Sequence, residues 1–232
     1  MAPSKPTPST PKQNLFSSSN TPSKQSSTST TMQTLSITPL GSGREVGRSC
    51  HLLTFGGLTI LLDAGIHPGY AGSAGLPSFD SIDCATIDLV LVTHFHLDHA
   101  ASLPYLTEKT AFKGRVFMTH PTKAVLRLLL LDYTRLMSMR PDQEAIYSED
   151  DLRNCLRKVT LLDYHAVQEL DLPHGHVKFW ALNAGHVLGA AQFMISINGR
   201  NLLYTGDYSM EEDRHLAAAE VPEGKVDVLI CE

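Results

Sequence analysis

From about Met32 onward, apolar residues come in short runs separated by turn residues. Leu35–Leu40, Cys50–Phe55 and Leu58–Leu62 read as strands, the last two joined as a hairpin at Gly56-Gly57. Ile87–Thr93 reads as a buried strand that ends in His94, and Arg115–Thr119 as another strand. Pro121 opens a helix expected over Thr122–Met137, where apolar residues recur at helical spacing. Ser148-Glu149-Asp150-Asp151 has the form of a capping box and starts a second helix to about Arg157. Val177–Leu182, Gln192–Ile197 and Asn201–Tyr204 follow as strands, the last two linked by Asn198-Gly199. Val226–Cys231 is the last strand. Strands, then helices, then more strands point to an α+β or layered sandwich rather than a doubly wound sheet.

Residues 1–31 break the pattern. They are mostly Ser, Thr and Pro, with only Leu15 and Phe16 large and apolar. Such a segment buries too little surface to offset its ordering entropy, so it is expected to be a disordered tail, dispensable for folding. Residues 32–232 are expected to form one domain. The tail carries Lys5, Lys12, Lys24 and no acid, so the rest of a chain of net charge −5 carries −8. An acidic domain is no generic nucleic-acid binder, and handling a polyanion would call for something else, such as a bound divalent metal. Cys50, Cys84, Cys155 and Cys231 are widely spaced, which excludes a zinc ribbon and argues for a reducing compartment over a disulfide scaffold. No apolar stretch is long enough for a membrane helix, and the N-terminus lacks the apolar core of a signal peptide.

The densest chemistry is His94-Phe95-His96-Leu97-Asp98-His99. Three imidazoles and a carboxylate directly after a buried strand suit a divalent ion such as zinc. His186 lies between two predicted strands in Ala184-Gly185-His186-Val187-Leu188-Gly189, where flanking glycines would let the backbone approach a metal. Asp207, in Gly206-Asp207-Tyr208, and Asp63, in Leu62-Asp63-Ala64, each follow an apolar strand too. Alone, either would read as a turn residue. Four strand ends that each deliver an acid or a histidine describe a site built on one edge of a scaffold. His174 and His176 read as a solvated turn beside Pro173. His67 and His120, each before a proline, fit a substrate groove or a structural role equally. Arg44 and Arg48, in a Gly-rich loop, are either phosphate contacts or solvated.

This set of motifs resembles the metallo-β-lactamase fold, an αββα sandwich, in its nucleic-acid-processing branch that carries a β-CASP insertion. Further blocks resemble the endonuclease subunits of the cleavage and polyadenylation specificity factor. These are Gly43–Cys50, Met118–Ala124, Gly185–Ala191 and Asp213-Arg214-His215-Leu216. The resemblance covers about residues 36–232. It implies two Zn2+ ions: His94, His96 and His186 on the first, Asp98 and His99 on the second, Asp207 bridging, and Asp63 behind them orienting the loop. It further implies attack on a scissile phosphorus by water ionised at the metals, pre-mRNA as substrate, partner subunits of a 3′-end processing complex, and a nuclear location. Family enzymes continue into the β-CASP segment and return with a further zinc ligand and a histidine that protonates the leaving group. By that pattern this chain holds only the N-terminal part of the fold, the second zinc site is incomplete, and the catalytic acid lies beyond Glu232. The alternatives are an Integrator-type or DNA-repair nuclease of the same branch, a hydrolase of small thioesters or lactams, and an inactive metal-binding fragment.

Overall fold

A computed structural model describes residues 34–139 and 145–232. The expected tail, residues 1–31, and Met32 lie outside them. The first sheet has six strands in the order β1 (Ser36–Gly41), β2 (Cys50–Phe55), β3 (Leu58–Leu62), β4 (Leu89–Leu91), β5 (Arg115–Thr119) and β6 (Val159–Leu162). Its β1–β2–β3 part is antiparallel, and β3 to β6 run parallel. The second sheet has five strands in the order β11 (Val228–Ile230), β10 (Arg200–Tyr204), β9 (Ala191–Ile197), β8 (Gly175–Asn183) and β7 (Gln168–Leu172). Only its β10–β11 pair is parallel. Among the described residues the α-helices are α1 (Leu97–Ala100), α2 (Leu103–Lys109), α3 (His120–Ser138) and α4 (Glu149–Lys158).

The period-2 alternation of strand side chains assigns each apolar residue to a layer. Leu89, Leu91 and Phe117 point toward the second sheet and pack with Phe179, Phe193 and Ile195. Val90, Val92, Val116 and Met118 point the other way, onto Leu106, Leu126, Leu130 and Leu152 of the helices. The central strands therefore read as unbroken apolar runs because they are covered on both faces. Phe117 and Phe179 meet edge-to-face across the sheets, with centroids 5.1 Å apart, a contact worth about 0.5–1.5 kcal/mol beyond burial. On the outer face of the second sheet, Leu182, Met194 and Leu203 form a small cluster with Trp180 and Val226. Helices, sheet and sheet are thus three of the four layers of the expected sandwich.

Local signals explain most elements. Thr119 caps α3 through Thr122 N–H, with Pro121 in the first turn. Ser148 and Asp151 form the expected capping box of α4. The strand expected over Ile87–Thr93 is shorter, Leu89–Leu91: Val92 N–H still bonds the Phe117 carbonyl of β5 at 3.0 Å, but Thr93 N–H leaves the ladder and donates to the Asp63 carboxylate at 2.7 Å. His174 sits in the β7–β8 turn and pairs with Asp88 at 3.0 Å, as expected of a solvated turn, whereas His176 is exposed but stands in β8, opposite Asp171 of β7, with which it pairs at 2.8 Å. All four cysteines are free.

Candidate metal centre

The C-terminal ends of β3, β4, β8, β10 and β11 lie on one edge of the paired sheets and deliver Asp63, His94, His186, Asp207 and Glu232 respectively. His96 is the N-cap of α1 and His99 stands in its only turn, so a tight strand-to-helix loop presents three imidazoles. Gly65 lets this loop close: a Cβ there would fall 1.6 Å from the Asp98 carbonyl oxygen. The loop that carries His186 is fixed from behind. The Gly189 carbonyl accepts hydroxyl hydrogen bonds from Thr119 at 2.6 Å and Thr122 at 2.9 Å. At φ +87°, Gly189 has its would-be Cβ position 2.8 Å from Pro121 and the Thr122 amide. This glycine serves close packing on α3, not the approach to a metal that the sequence suggested.

His94, His96, His186 and Asp207 each place one ligand atom within 4.8 Å of the others. His96 Nδ1 is 3.0 Å from His94 Nε2 and 3.2 Å from His186 Nε2. Tetrahedral zinc with bonds of about 2.0–2.1 Å sets ligand nitrogens roughly 3.3 Å apart, so the spacing fits. Burial first, then the neighbouring imidazoles His99, His96 and His186, push the His94 pKa far below its usual value. His94 is therefore the neutral imidazole that a metal needs.

A second group comprises His99, Asp207 and Glu232, again with ligand atoms within 4.8 Å. Burial pulls the His99 pKa down. The hydrogen bond and charge of Asp63, with the carboxylates of Glu232 and Asp207, outweigh it and raise the pKa to about 9. Three carboxylates around one buried imidazole form a concentration of negative charge that a cation offsets. Asp207 joins the two groups: Oδ2 lies 3.4 Å from His186 Nε2 and 3.8 Å from His94 Nε2, while Oδ1 lies 3.6 Å from His99 Nε2.

Asp63 is fully buried and orients both groups. Its Oδ2 accepts from the Thr93 hydroxyl at 2.8 Å and from His99 Nδ1 at 2.9 Å. The Thr93 hydroxyl has spent its proton on Asp63, so at 3.0 Å it accepts from His94 Nδ1–H. One carboxylate thereby fixes the tautomers of two histidines and turns both Nε2 atoms toward the site. The Tyr204 hydroxyl sits 2.7 Å from Asp63 Oδ2 and 2.9 Å from Glu232 Oε1, between two carboxylates. Asp63 holds φ +60°, a left-handed conformation that aspartate tolerates better than most residues.

Asp98, expected beside His99, belongs to neither group, although it lines the same cavity as His99 and Asp207. Glu232 takes the place beside His99, and sequence reasoning missed it. The signal was available: Glu232 follows an apolar strand, as Asp63 and His94 do. Its carboxyl is held below its usual range: burial raises it, but the His51 hydrogen bond, the His99 charge and the Tyr204 hydroxyl outweigh that. Ser49 Oγ also donates to it at 3.1 Å. Arg48 is engaged with Glu45 at 2.6 Å and with the Leu76 carbonyl, and is no free phosphate contact.

Residues 52–230 match the metallo-beta-lactamase superfamily domain, and the chain belongs to that superfamily. The fold implies metal binding, and the two groups are residues that could hold it. The chain is 56% identical over 199 residues to a protein named endoribonuclease YSH1 of Yarrowia lipolytica, covering 86% of this chain and 24% of that one. It is 53% identical over 198 residues to cleavage and polyadenylation specificity factor subunit 3-I of Arabidopsis thaliana, covering 85% of this chain and 28% of that one. The chain thus spans about a quarter of the length of these relatives. A crystal structure of a protein of unknown function from Enterococcus faecalis V583 shares the fold, with TM-score 0.52 and 15% identity over 77% of this chain and 44% of that one.

Proposed function

We propose that residues 32–232 are the metal-binding part of a zinc-dependent RNA endonuclease that cleaves pre-mRNA at its 3′ end in a nuclear processing complex. The observation that carries this reading is the split of Asp207 between two histidine groups, which is the arrangement of a bridging carboxylate. His94, His96 and His186 would hold the first zinc, and His99, with Asp98 at the cavity wall, the second. The names of relatives above 50% identity supply the substrate class and the complex. No helix among the described residues is long and apolar enough to cross a membrane.

Zinc, when bound, supplies Lewis acidity and lowers the pKa of water to about 7. The chain's own residues do the rest. Asp63 holds the His94 and His99 imidazoles rigid with Nε2 toward the site, which avoids reorganisation during the reaction. Glu232, fixed by Ser49, His51 and Tyr204, holds negative charge beside His99. The site's donors are carboxylates and imidazoles, so a phosphodiester is admitted only once cations offset the negative charge.

The test is to edit Asp207→Asn or His94→Ala into the gene and sequence RNA 3′ ends. Uncleaved, read-through transcripts should accumulate with both substitutions. Unchanged 3′ ends in cells that express the variant at normal level would refute the reading.

A further inference from the structure

Most cations of the fold face a carboxylate: Lys109 meets Asp151, Lys158 meets Glu108, Arg135 meets Glu149 and Lys178 meets Glu169. A groove between α3 and α4 departs from this. Its rim is His120, Lys123 and Arg127 from α3 with Arg153 and Arg157 from α4, and its apolar floor includes Leu156 and Leu161. No acidic side chain lines it among the described residues. Arg153 pairs with Asp150 and Glu149 outside the groove. Lys123 bonds only the Val159 carbonyl and Arg157 only the neutral Asn154 side chain. Arg127 makes no ion pair or hydrogen bond among the described residues. Like charges gathered without counter-charge repel, and a polyanion relieves that cost.

The His120 end of the groove packs beside the loop that carries His186. It begins at His120, the first residue of α3, and Thr119 and Thr122 beside it hold the Gly189 carbonyl of the His186 loop. From His120 to Arg127 the helix rises about 10 Å, enough for successive phosphates of an extended strand. Because one end of the groove packs on the loop that carries His186, the favoured polyanion is a nucleic-acid strand rather than an acidic protein.

We propose that single-stranded RNA runs from the metal centre along this α3–α4 groove, its phosphates held by Lys123, Arg127 and Arg157. The proposal rests on the RNA-cleavage reading. The contacts are to the backbone and carry no sequence preference.

The test uses fluorescence anisotropy of a labelled 20-nucleotide RNA against salt concentration, with the whole chain and the Arg127→Gln/Arg157→Gln variant. Neither arginine has a carboxylate partner, so the thermal midpoint should hold. Two lost phosphate contacts should lower the slope of log affinity against log salt by about 1.4. A control of equal charge change, Lys113→Gln/Lys178→Gln, should leave the slope unchanged. An unchanged slope in the groove variant, an equal loss in the control, or no RNA binding by the parent chain would overturn the proposal. A 20-residue poly-glutamate bound as tightly, with the same loss in the variant, would instead make the groove a protein-docking surface. Zinc content, measured in parallel, separates the two readings. If the metal centre is misread, zinc is absent while the slope difference persists.

Discussion

Asp63 Oδ2 accepts a hydrogen bond from His99 Nδ1 at 2.9 Å, with both side chains buried. Through Thr93 the same carboxylate fixes His94. Replacing Asp63 with Asn keeps a residue that tolerates its left-handed backbone but removes the charge and a acceptor oxygen. Loss of such a supporting group typically costs about 10–100-fold in metal affinity. We expect Asp63→Asn to weaken zinc binding by that factor in a chelator competition titration, with the far-ultraviolet circular dichroism of the parent. Unchanged zinc affinity would contradict the orienting role.

The two groups should fill unequally. The first offers three imidazoles and a carboxylate oxygen, whereas the second has one imidazole and shares Asp207. Titration of metal-free chain should show one tight zinc and a second, weaker one. His186→Ala should abolish the tight phase and His99→Ala the weak one. Equal affinities would show that His99, Asp207 and Glu232 form a stronger site than their donors suggest.

Much of this was legible in the sequence because the informative residues stand at the ends of apolar strands. β2, β3 and β5 were delimited to the residue, and the histidines that the structure brings together were singled out by the His94–His99 motif and by the place of His186 between strands. β6 and β7 were not foreseen. Each is the outer strand of its sheet, with only Val159, Leu162 and Leu170 turned inward. β7 is mostly polar, and β6, though apolar, is four residues long and buries only its first and last, so neither leaves a period-2 signal. The cationic groove was hidden differently: its charges are split between two helices, and α4 as read in sequence is a mixed-charge helix that begins with three acids. The net acidity of the domain concealed a local excess of positive charge.

Gly65 should be irreplaceable. The atom its Cβ would strike is the Asp98 backbone carbonyl, so no side chain can swing away. Gly65→Ala forces β3 and α1 apart and should cost about 1–3 kcal/mol or more. Chemical denaturation would detect this as a lower midpoint with an unchanged slope. A variant as stable as the parent would mean that the two segments are not in contact.

Capping of α4 should titrate. Burial raises the Asp151 pKa, but the Lys109 ion pair and the Ser148 hydrogen bonds together outweigh it and lower it below the ordinary carboxylate value. A depressed carboxylate contributes stability above its unfolded pKa of about 4 and loses it as pH falls through the folded value. Asp151→Asn should therefore be less stable than the parent by about 1 kcal/mol at pH 7, and the gap should close toward pH 3. Thermal melts of both proteins at the two pH values check the sign. A gap that widens in acid would rule out this contribution.

The most direct measurement is anomalous diffraction at the zinc edge from crystals of the chain grown with zinc. We expect two peaks about 3.5–4 Å apart. One should lie among His94 Nε2, His96 Nδ1 and His186 Nε2, the other beside His99 Nε2, with the Asp207 carboxylate between them. No peak at this edge of the sheets, or a single peak that leaves Asp207 uncoordinated, would contradict the bridged two-metal centre.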